Sequence, residues 1–459
     1  MKKTVWIFLF FCTSIIGFTQ TFDTVLLLDN GPSDKRINLV VLGDGYDASE
    51  QDVFMADATQ LIDYLFTTPP FSNYSNYFNV YAVKIISPES GVKHPGTATD
   101  VAEPVFPISN PNTYLETTFD YQDIHRCIYT PNLNKTTQVL AANVPFYDEA
   151  FVIVNSPEYG GCAGLYSYFS AHSSANEIMV HELGHSFSGL ADEYWFAPTG
   201  ESPNKTQDSN SQTNRWRNWI GTDGVDVYPY EEDASWYRPH QNCVMRSLGN
   251  PFCSVCMEAT IERVHQLQGP IESFSPLAEI VEIGEQSIDF EVALILPEPN
   301  DLVLSWELNN EVVEAQQANI SIVESDLEEG DNFLVFRVID NTPLVRTDNH
   351  HAIHVSTVTW VLNKETLGVE DMEVSENSFV LYPNPTANVV HVKSNQSLTS
   401  SLTYELVTST GQLAKKGEMN LSNSKVYAIE LSDLPPQVYI LNVYDSQSNK
   451  LYTQKIVKK

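Results

Sequence analysis

The chain has 459 residues, enough for two to four domains at about 100 to 200 residues each. Hydrophobic residues at 42% and aromatics at 11% exclude a wholly disordered or collagen-like polymer. With 59 acidic residues against 25 Lys and Arg the net charge is -34, so nucleic acid is not an expected partner and anionic membrane surfaces are repelled, although acidity alone names no substrate.

Met1-Lys2-Lys3, the apolar run from Val5 to Cys12 and the stretch from Ser14 to Gly17 have the layout of a secretory signal peptide over residues 1–19. The run is too short to span a bilayer. Gly17 and Thr19 suit cleavage before Gln20, leaving a mature chain with no transmembrane segment. That chain is expected outside the cell or on its outer surface; a buried N-terminal helix is the competing reading. Five cysteines then remain, at positions 127, 162, 243, 253 and 256, and export permits disulfides. Three of them fall within fourteen residues, so a bridge from Cys243 to Cys253 or Cys256 is expected, with one thiol left over. Cys253 and Cys256 form a CxxC, but without a second pair this is a weak sign of structural zinc, and no thioredoxin-like context supports a redox role.

The β-branched run from Ile37 to Leu42 reads as a buried strand closed by Gly43-Asp44-Gly45. Ser49 and Asp52 then start a helix that runs to about Phe66, before Pro69-Pro70. Phe78 to Ile86 and Phe151 to Asn155 read as further strands, giving an α/β arrangement. A helix over roughly Ala175 to Leu190 puts Met179, Leu183, Phe187 and Leu190 on one stripe and His181 and His185 on the opposite side. From about Pro276 the pattern becomes short and alternating, as in Ile288, Phe290 and Val292 separated by Asp289 and Glu291, with no helix expected as far as Leu362. Trp306 and the run Phe333 to Ile339 fit inner-face strands of an immunoglobulin-like sandwich over 276–363. An acidic linker over 364–377 follows, and beyond it Ser378 to Lys459 holds eight lysines against five acids, again in alternating strands.

The sharpest chemical signal is His181-Glu182-Leu183-Gly184-His185, an HExxH on a predicted helix. Two histidines four apart project from one face and can bind one zinc, while the glutamate points toward water on that metal. Zinc acidifies the water and polarises a scissile carbonyl, and Glu182 takes the proton and passes it to the leaving amine. A zinc site needs a third protein ligand, and Gly189-Leu190-Ala191-Asp192 supplies a turn and a carboxylate. In the metzincin pattern HExxHxxGxxH the glycine and third ligand come one position earlier and that ligand is His, so Asp192 is a departure. Glu193 is its main rival, and Glu201 or Glu231 would imply a different zincin subclass. Asn242-Cys243-Val244-Met245-Arg246 is a candidate methionine turn, with an ordinary core Met as the alternative. Tyr237, eight residues before Met245, is a candidate oxyanion donor, with a packed tyrosine as the alternative. Gly160-Gly161 fits either close approach of a substrate strand or a plain turn.

These residues resemble the zinc metallopeptidases typified by bacterial immunoglobulin A peptidase. The resemblance rests on Val40 to Tyr46, Phe78 to Tyr81, Glu89-Ser90-Gly91, Tyr159-Gly160-Gly161, and above all the stretch His181 to Tyr194. It extends to Tyr237-Arg238-Pro239, Met245-Arg246 and Phe252 to Cys256. It implies an α/β zincin-like, metzincin-type catalytic domain over 20–272 that acts as an extracellular zinc endopeptidase on protein or peptide substrates. His181, His185 and Asp192 would hold zinc and Glu182 would be the general base. It does not imply immunoglobulin A as substrate, because recognition lies in variable loops. The tail from 378 to 459, with Leu381-Tyr382-Pro383-Asn384-Pro385-Thr386, Tyr439 to Val443 and a Lys-rich end, resembles the sorting domain of the bacterial type IX secretion system. That implies passage through the type IX machinery, with an adhesive β-sandwich as the alternative. The expected architecture is thus one α/β domain followed by two small all-β sandwiches.

Two other functions compete: a catalytically silent zincin scaffold that binds a surface or glycan, and a zinc amidase or deacetylase. The intact Glu182 argues against the first, since only chemistry requires it; substrate testing alone separates the second. Calcium is an expectation from acidity only, because no D-x-[DN]-x-[DN]-G loop is present.

Overall fold

The computed structural model describes residues 20–195, 200–364, 379–394, 402–408, 413–419, 426–445 and 450–459. The signal peptide expected at 1–19 and nearly all of the linker expected at 364–377 lie outside these residues. The chain divides into two compact units, Met1–Thr366 and Leu367–Lys459. None of the helices among the described residues is long and apolar enough to cross a membrane.

The first unit is built on a six-stranded sheet of β1 (Thr24–Leu28), β2 (Ile37–Asp44), β3 (Phe78–Val83), β4 (Glu149–Val154), β5 (Gly161–Ala163) and β6 (Ser167–Ser170), in the order β1-β3-β2-β4-β6-β5. The four inner strands run parallel, and each edge strand is antiparallel to its neighbour. All eight residues of β2 are buried, which explains a continuous apolar run instead of alternation. Its side chains divide by the strand period of two. Ile37, Leu39 and Val41 enter one core with Phe54, Leu61 and Leu65 of α1 (Gln51–Leu65) and with Met179 and Leu183 of the helix at Ala175–Ser186. Val40 and Leu42 enter the other with Val139 and Leu140 of α2 (Leu133–Asn143). The helix at Ala175–Ser186, α3, and a further helix α4 (Ser254–Leu267) lie on the first face.

Asp44, the last residue of β2, is fully buried and holds the long connection that follows β3. Its carboxylate accepts from Thr113 Oγ1 at 2.8 Å, Leu115 N–H at 2.8 Å, and Thr117 N–H and Oγ1 at 3.1 and 2.6 Å. One acid in the Gly43-Asp44-Gly45 turn therefore pins a loop some seventy residues downstream.

The sandwich has a five-stranded sheet, β10-β16-β15-β12-β13, facing a three-stranded one, β14-β11-β9. Its strands are β9 (Ile271–Ser275), β10 (Ile280–Ile283), β11 (Ile288–Leu294), β12 (Leu302–Leu308), β13 (Glu311–Ala315), β14 (Asn319–Ile322), β15 (Asp331–Asp340) and β16 (Ser356–Lys364), and the ribbon β7–β8 precedes them at Tyr228–Pro229 and Tyr237–Arg238. β9 pairs with β11, so the sandwich begins ahead of Pro276, where the alternating texture starts. Trp306 and Trp360 stack with ring centroids 5.7 Å apart at its centre. In β15 the inward residues are Leu334, Phe336 and Val338, while Phe333 is exposed, as a period of two requires. A short helix, α5 (His350–Ile353), breaks the expectation of an all-strand segment. It is set there by α4: Glu262 accepts from His350 and His354 at 2.5 and 2.8 Å, and Asp340, paired with His265 of α4 at 3.1 Å, accepts from His350 through its carbonyl at 3.1 Å.

The second unit has a three-stranded sheet of β17 (Phe379–Tyr382), β18 (Val389–Ser394) and β21 (Val426–Glu430). A four-stranded sheet contains β20 (Leu413–Met419), β19 (Leu402–Thr408), β22 (Val438–Tyr444) and β23 (Lys450–Val457). Val390, Val392, Leu406, Leu441 and Val443 fill its core.

Candidate active site

α3 carries His181, Glu182 and His185 and ends at Ser186, four residues short of the expected Leu190. Gly189, in the left-handed region at φ 67°, reverses the chain, and its N–H and that of Leu190 bond back to His185 O and Gly184 O at 3.0 and 2.9 Å. This turn returns Asp192 to the helix. Asp192 Oδ1 lies 3.1 Å from His181 Nε2 and 3.2 Å from His185 Nε2, and the two Nε2 atoms are 3.2 Å apart. A tetrahedral zinc with bonds of about 2.0 to 2.1 Å needs ligand atoms about 3.3 Å apart, so the three atoms fit its edges.

The outward nitrogens complete the fit. His181 Nδ1 faces Val244 O at 3.0 Å and His185 Nδ1 faces Leu190 O at 2.7 Å. A carbonyl at Nδ1 fixes that nitrogen as the donor and leaves the Nε2 lone pair for a metal. Burial opposes charge on His185, but Asp192 outweighs it and pushes that imidazole up to about 9. Burial raises the Asp192 carboxyl, and the two histidines reverse this, holding it well below the usual carboxylate range. A place that favours protons on histidine so strongly equally favours a cation in their stead. Glu182 is buried beside these groups, and its burial pushes the carboxyl above the usual range, toward a working base.

His181 and Glu182 line a cleft of about 320 Å³ with Arg126, Tyr159, Gly161, Tyr194 and Val244. Gly161 opens the edge strand β5 against α3: a Cβ there would lie 2.5 Å from Ile178 Cγ2 and 3.0 Å from Glu182 Oε1. Gly184 does the same beneath the helix, where a Cβ would lie 2.5 Å from Met245 Sδ. Met245 is fully buried, with its sulfur against Gly184 between the two histidines of α3.

Residues 25–223 match the family model described as IgA Peptidase M64. Those residues form an IgA peptidase M64 domain. Residues 380–459 match the secretion system C-terminal sorting domain, so the chain is exported by type IX secretion to the cell surface or the extracellular space, and it engages that machinery. The M64 domain places the chain among peptidases, enzymes that act on peptides. No protein of curated function matches the sequence. Among solved structures the chain is similar to a DUF3244-family protein with an immunoglobulin-like β-sandwich fold from Bacteroides vulgatus, at 14% identity over 18% of this chain and 85% of that one, with a TM-score of 0.16. It is also similar to the fibronectin(III)-like modules of Clostridium thermocellum CbhA, at 9% identity over 40% and 92% of the two chains, with a TM-score of 0.14. At such scores neither likeness carries an argument.

Within the M64 domain Glu193, the rival of Asp192, is buried on the opposite side of the chain, with its Oε1 3.4 Å from Cys256 Sγ. Glu201 pairs with Arg215 at 2.9 Å, and the exposed Glu231 reaches Arg246 at 3.4 Å; neither approaches the histidines. Tyr237 also departs from expectation. It sits on the ribbon strand β8 and packs against the first core, and it is not among the cleft residues. The tyrosines at the cleft are Tyr159 and Tyr194. Tyr194 lies 6.2 Å, ring to ring, from His181, and Arg126 donates to its hydroxyl at 3.0 Å. A signal for it was in the sequence: alternate residues of a non-helical segment share a side, so Tyr194 follows Asp192 into the cleft while Glu193 turns away. Arg126 gave no such signal. It is placed by a bridge between Cys127 and Cys162, which replaces the expected pairing within the cysteine triad; Cys243, Cys253 and Cys256 are all free and buried.

Proposed function

We propose that the chain is an exported zinc endopeptidase in which His181, His185 and Asp192 hold the metal and Glu182 is the general base. The observation that carries this reading is the convergence of one carboxylate and two imidazole atoms at 3.1 to 3.2 Å beside a buried glutamate, in a cleft open to solvent. A zinc ion there supplies a Lewis acid that polarises a scissile carbonyl and brings water within reach of a carboxylate base at neutral pH.

The chain's own groups do the rest. Glu182 takes a proton from the attacking water and delivers it to the departing amine, and its raised proton affinity suits both transfers. Arg126 and the Tyr194 hydroxyl are donors on the cleft wall, and to them we assign stabilisation of the negative charge that grows on the carbonyl oxygen. Among the described residues β5 ladders with β6 alone and, apart from Gly161 N–H, which donates to Arg126 O at 3.0 Å, its other edge offers backbone groups to an extended peptide. A site of this kind belongs to a zincin-type catalytic domain, which we assign to 20–272. The sandwich from β9 to β16 would then position the enzyme or its substrate, and 378–459 would serve as the sorting domain.

The test is to incubate the mature protein, and a Glu182→Ala variant matched for zinc content, with unfolded and native proteins including immunoglobulins, with and without a chelator. Cleavage by the first alone, abolished by chelation, is the expected result, and mapped cut ends define specificity. Zinc-loaded protein that hydrolyses none of these but releases acetate or ammonia from small amides would move the assignment to an amidase. No zinc and no cleavage would favour a silent scaffold.

A further inference from the structure

We propose that Glu193, Cys243, Cys253 and Cys256 form a second, closed metal site that holds zinc for structure, independently of the catalytic reading.

The four ligand atoms all lie within 4.8 Å of one another. Cys243 Sγ is 3.7 Å from Cys256 Sγ, and Cys256 Sγ is 3.4 Å from Glu193 Oε1. With zinc–sulfur bonds of about 2.3 Å and zinc–oxygen bonds of about 2.1 Å, a tetrahedron has sulfur–sulfur edges of about 3.8 Å and sulfur–oxygen edges of about 3.6 Å. The measured edges match both without a disulfide, whereas Cys127 and Cys162 in the same chain are bonded at 2.08 Å.

Burial points the same way. Glu193, Cys243 and Cys256 are fully buried and Cys253 nearly so. Glu193 Oε1 accepts from Asn204 at 3.0 Å, but Oε2 has no hydrogen-bond partner although it is enclosed. Arg238 is buried nearby and acts on this carboxylate, yet its guanidinium donates to Pro229 O at 2.7 Å. A buried carboxylate with one unanswered oxygen, set among three thiols, is costly in a core and is what a cation would satisfy. The local backbone supports thiolates too: Cys253 N–H points at Cys243 Sγ at 3.4 Å, and the Cys253-x-x-Cys256 pair occupies the start of the fourteen-residue α4. Four protein ligands leave no open position, the mark of a structural rather than a catalytic site.

The placement gives the site a purpose. Glu193 lies between Asp192 and Tyr194, and its N–H bonds to Met245 O at 2.8 Å. Cys243 precedes Val244, whose carbonyl orients His181. A metal on these four residues would tie the returning carboxylate segment, the methionine turn and α4 together behind the cleft.

The test is zinc content and zinc K-edge absorption on the purified mature chain, on a His181→Ala/His185→Ala variant and on a Cys253→Ser/Cys256→Ser variant. The expected outcome is that the histidine variant keeps one zinc whose first shell is mainly sulfur at about 2.3 Å. Loss of all zinc from that variant, or a first shell of nitrogen and oxygen only, would overturn the proposal. Should the cysteine variant fail to fold, alkylation of the wild-type chain decides. The three thiols should resist iodoacetamide until chelator and denaturant are added and then all react; one reactive thiol would reveal a disulfide, and three reactive thiols without chelator an empty cluster. If the catalytic reading alone fails, the wild type still carries the sulfur-ligated ion.

Discussion

Replacing Gly161 with alanine tests whether the tight seam between β5 and α3 sets the position of the proposed base. The new methyl would lie 2.5 Å from Ile178 Cγ2, about 1 Å inside the ordinary carbon–carbon contact of roughly 3.5 to 4.0 Å. Neither side yields easily. Ile178 is β-branched and buried, and β5 is held by Gly161 N–H to Arg126 O at 3.0 Å and by the bridge at Cys162. Overpacking of this kind costs about 1 to 3 kcal/mol. The same methyl would stand 3.0 Å from Glu182 Oε1, so relief by moving α3 displaces the carboxylate. If the cost falls on the transition state, kcat/KM drops roughly 5- to 150-fold. The assay is steady-state cleavage of a mapped peptide, with zinc content and thermal unfolding measured on the same samples. Gly200→Ala serves as control, because a Cβ there meets nothing within 4 Å among the described residues. An Ile178→Ala change made in the Gly161→Ala background removes the clashing methyl and should recover part of the rate. Full activity in Gly161→Ala at unchanged zinc content would refute the reasoning.

Tyr194→Phe should lower kcat by about 10-fold or more with KM little changed, whereas Tyr237→Phe, on the ribbon, should leave both alone; the reverse pattern would restore Tyr237 as the oxyanion donor. Burial pushes the Glu149 carboxyl up to about 7, so above its ordinary value near 4.5 the unfolded chain ionises first. Stability contributed by that group is therefore full below about pH 4.5 and lost as pH rises toward 7, by up to about 3 kcal/mol. Glu149→Gln should accordingly gain stability at pH 8 and not at pH 4, as read from denaturant midpoints; equal shifts at both would contradict it. Asp44→Ala strands the buried Thr113 and Thr117 hydroxyls and two backbone donors, and should cost several kcal/mol at about 1 to 3 per group, detectable as a fall in unfolding midpoint.

What the sequence disclosed depended on how locally each feature is encoded. The β2 run, the alternation through the sandwich and the HExxH are periodic over a few residues, and their elements formed within one to four residues of expectation. α3 fell short because its last turn is spent reversing at Gly189 so that Asp192 can return, a tertiary demand that an apolar stripe through Leu190 conceals. The sandwich starts earlier than its texture because β9 finds its partner in β11, and pairing leaves no mark on a single strand. Cysteine spacing misled for the same reason. Proximity along the chain suggested a bridge inside the triad, whereas the bond joins residues 35 apart that the sheet edge brings together. Arg126 reaches the cleft on that bond, and no short pattern could have named it.

The Cys127–Cys162 link also ties chemistry to location. Reducing compartments do not sustain such a bond, and the oxidising space beyond the inner membrane does. The bond adds a covalent tie to the hydrogen bond from Gly161 N–H to Arg126 O, and so fixes the strand bearing Gly161 to the arm bearing Arg126 along the groove. On the function proposed above, the groove would take its final form only once the chain has left the reducing interior of the cell.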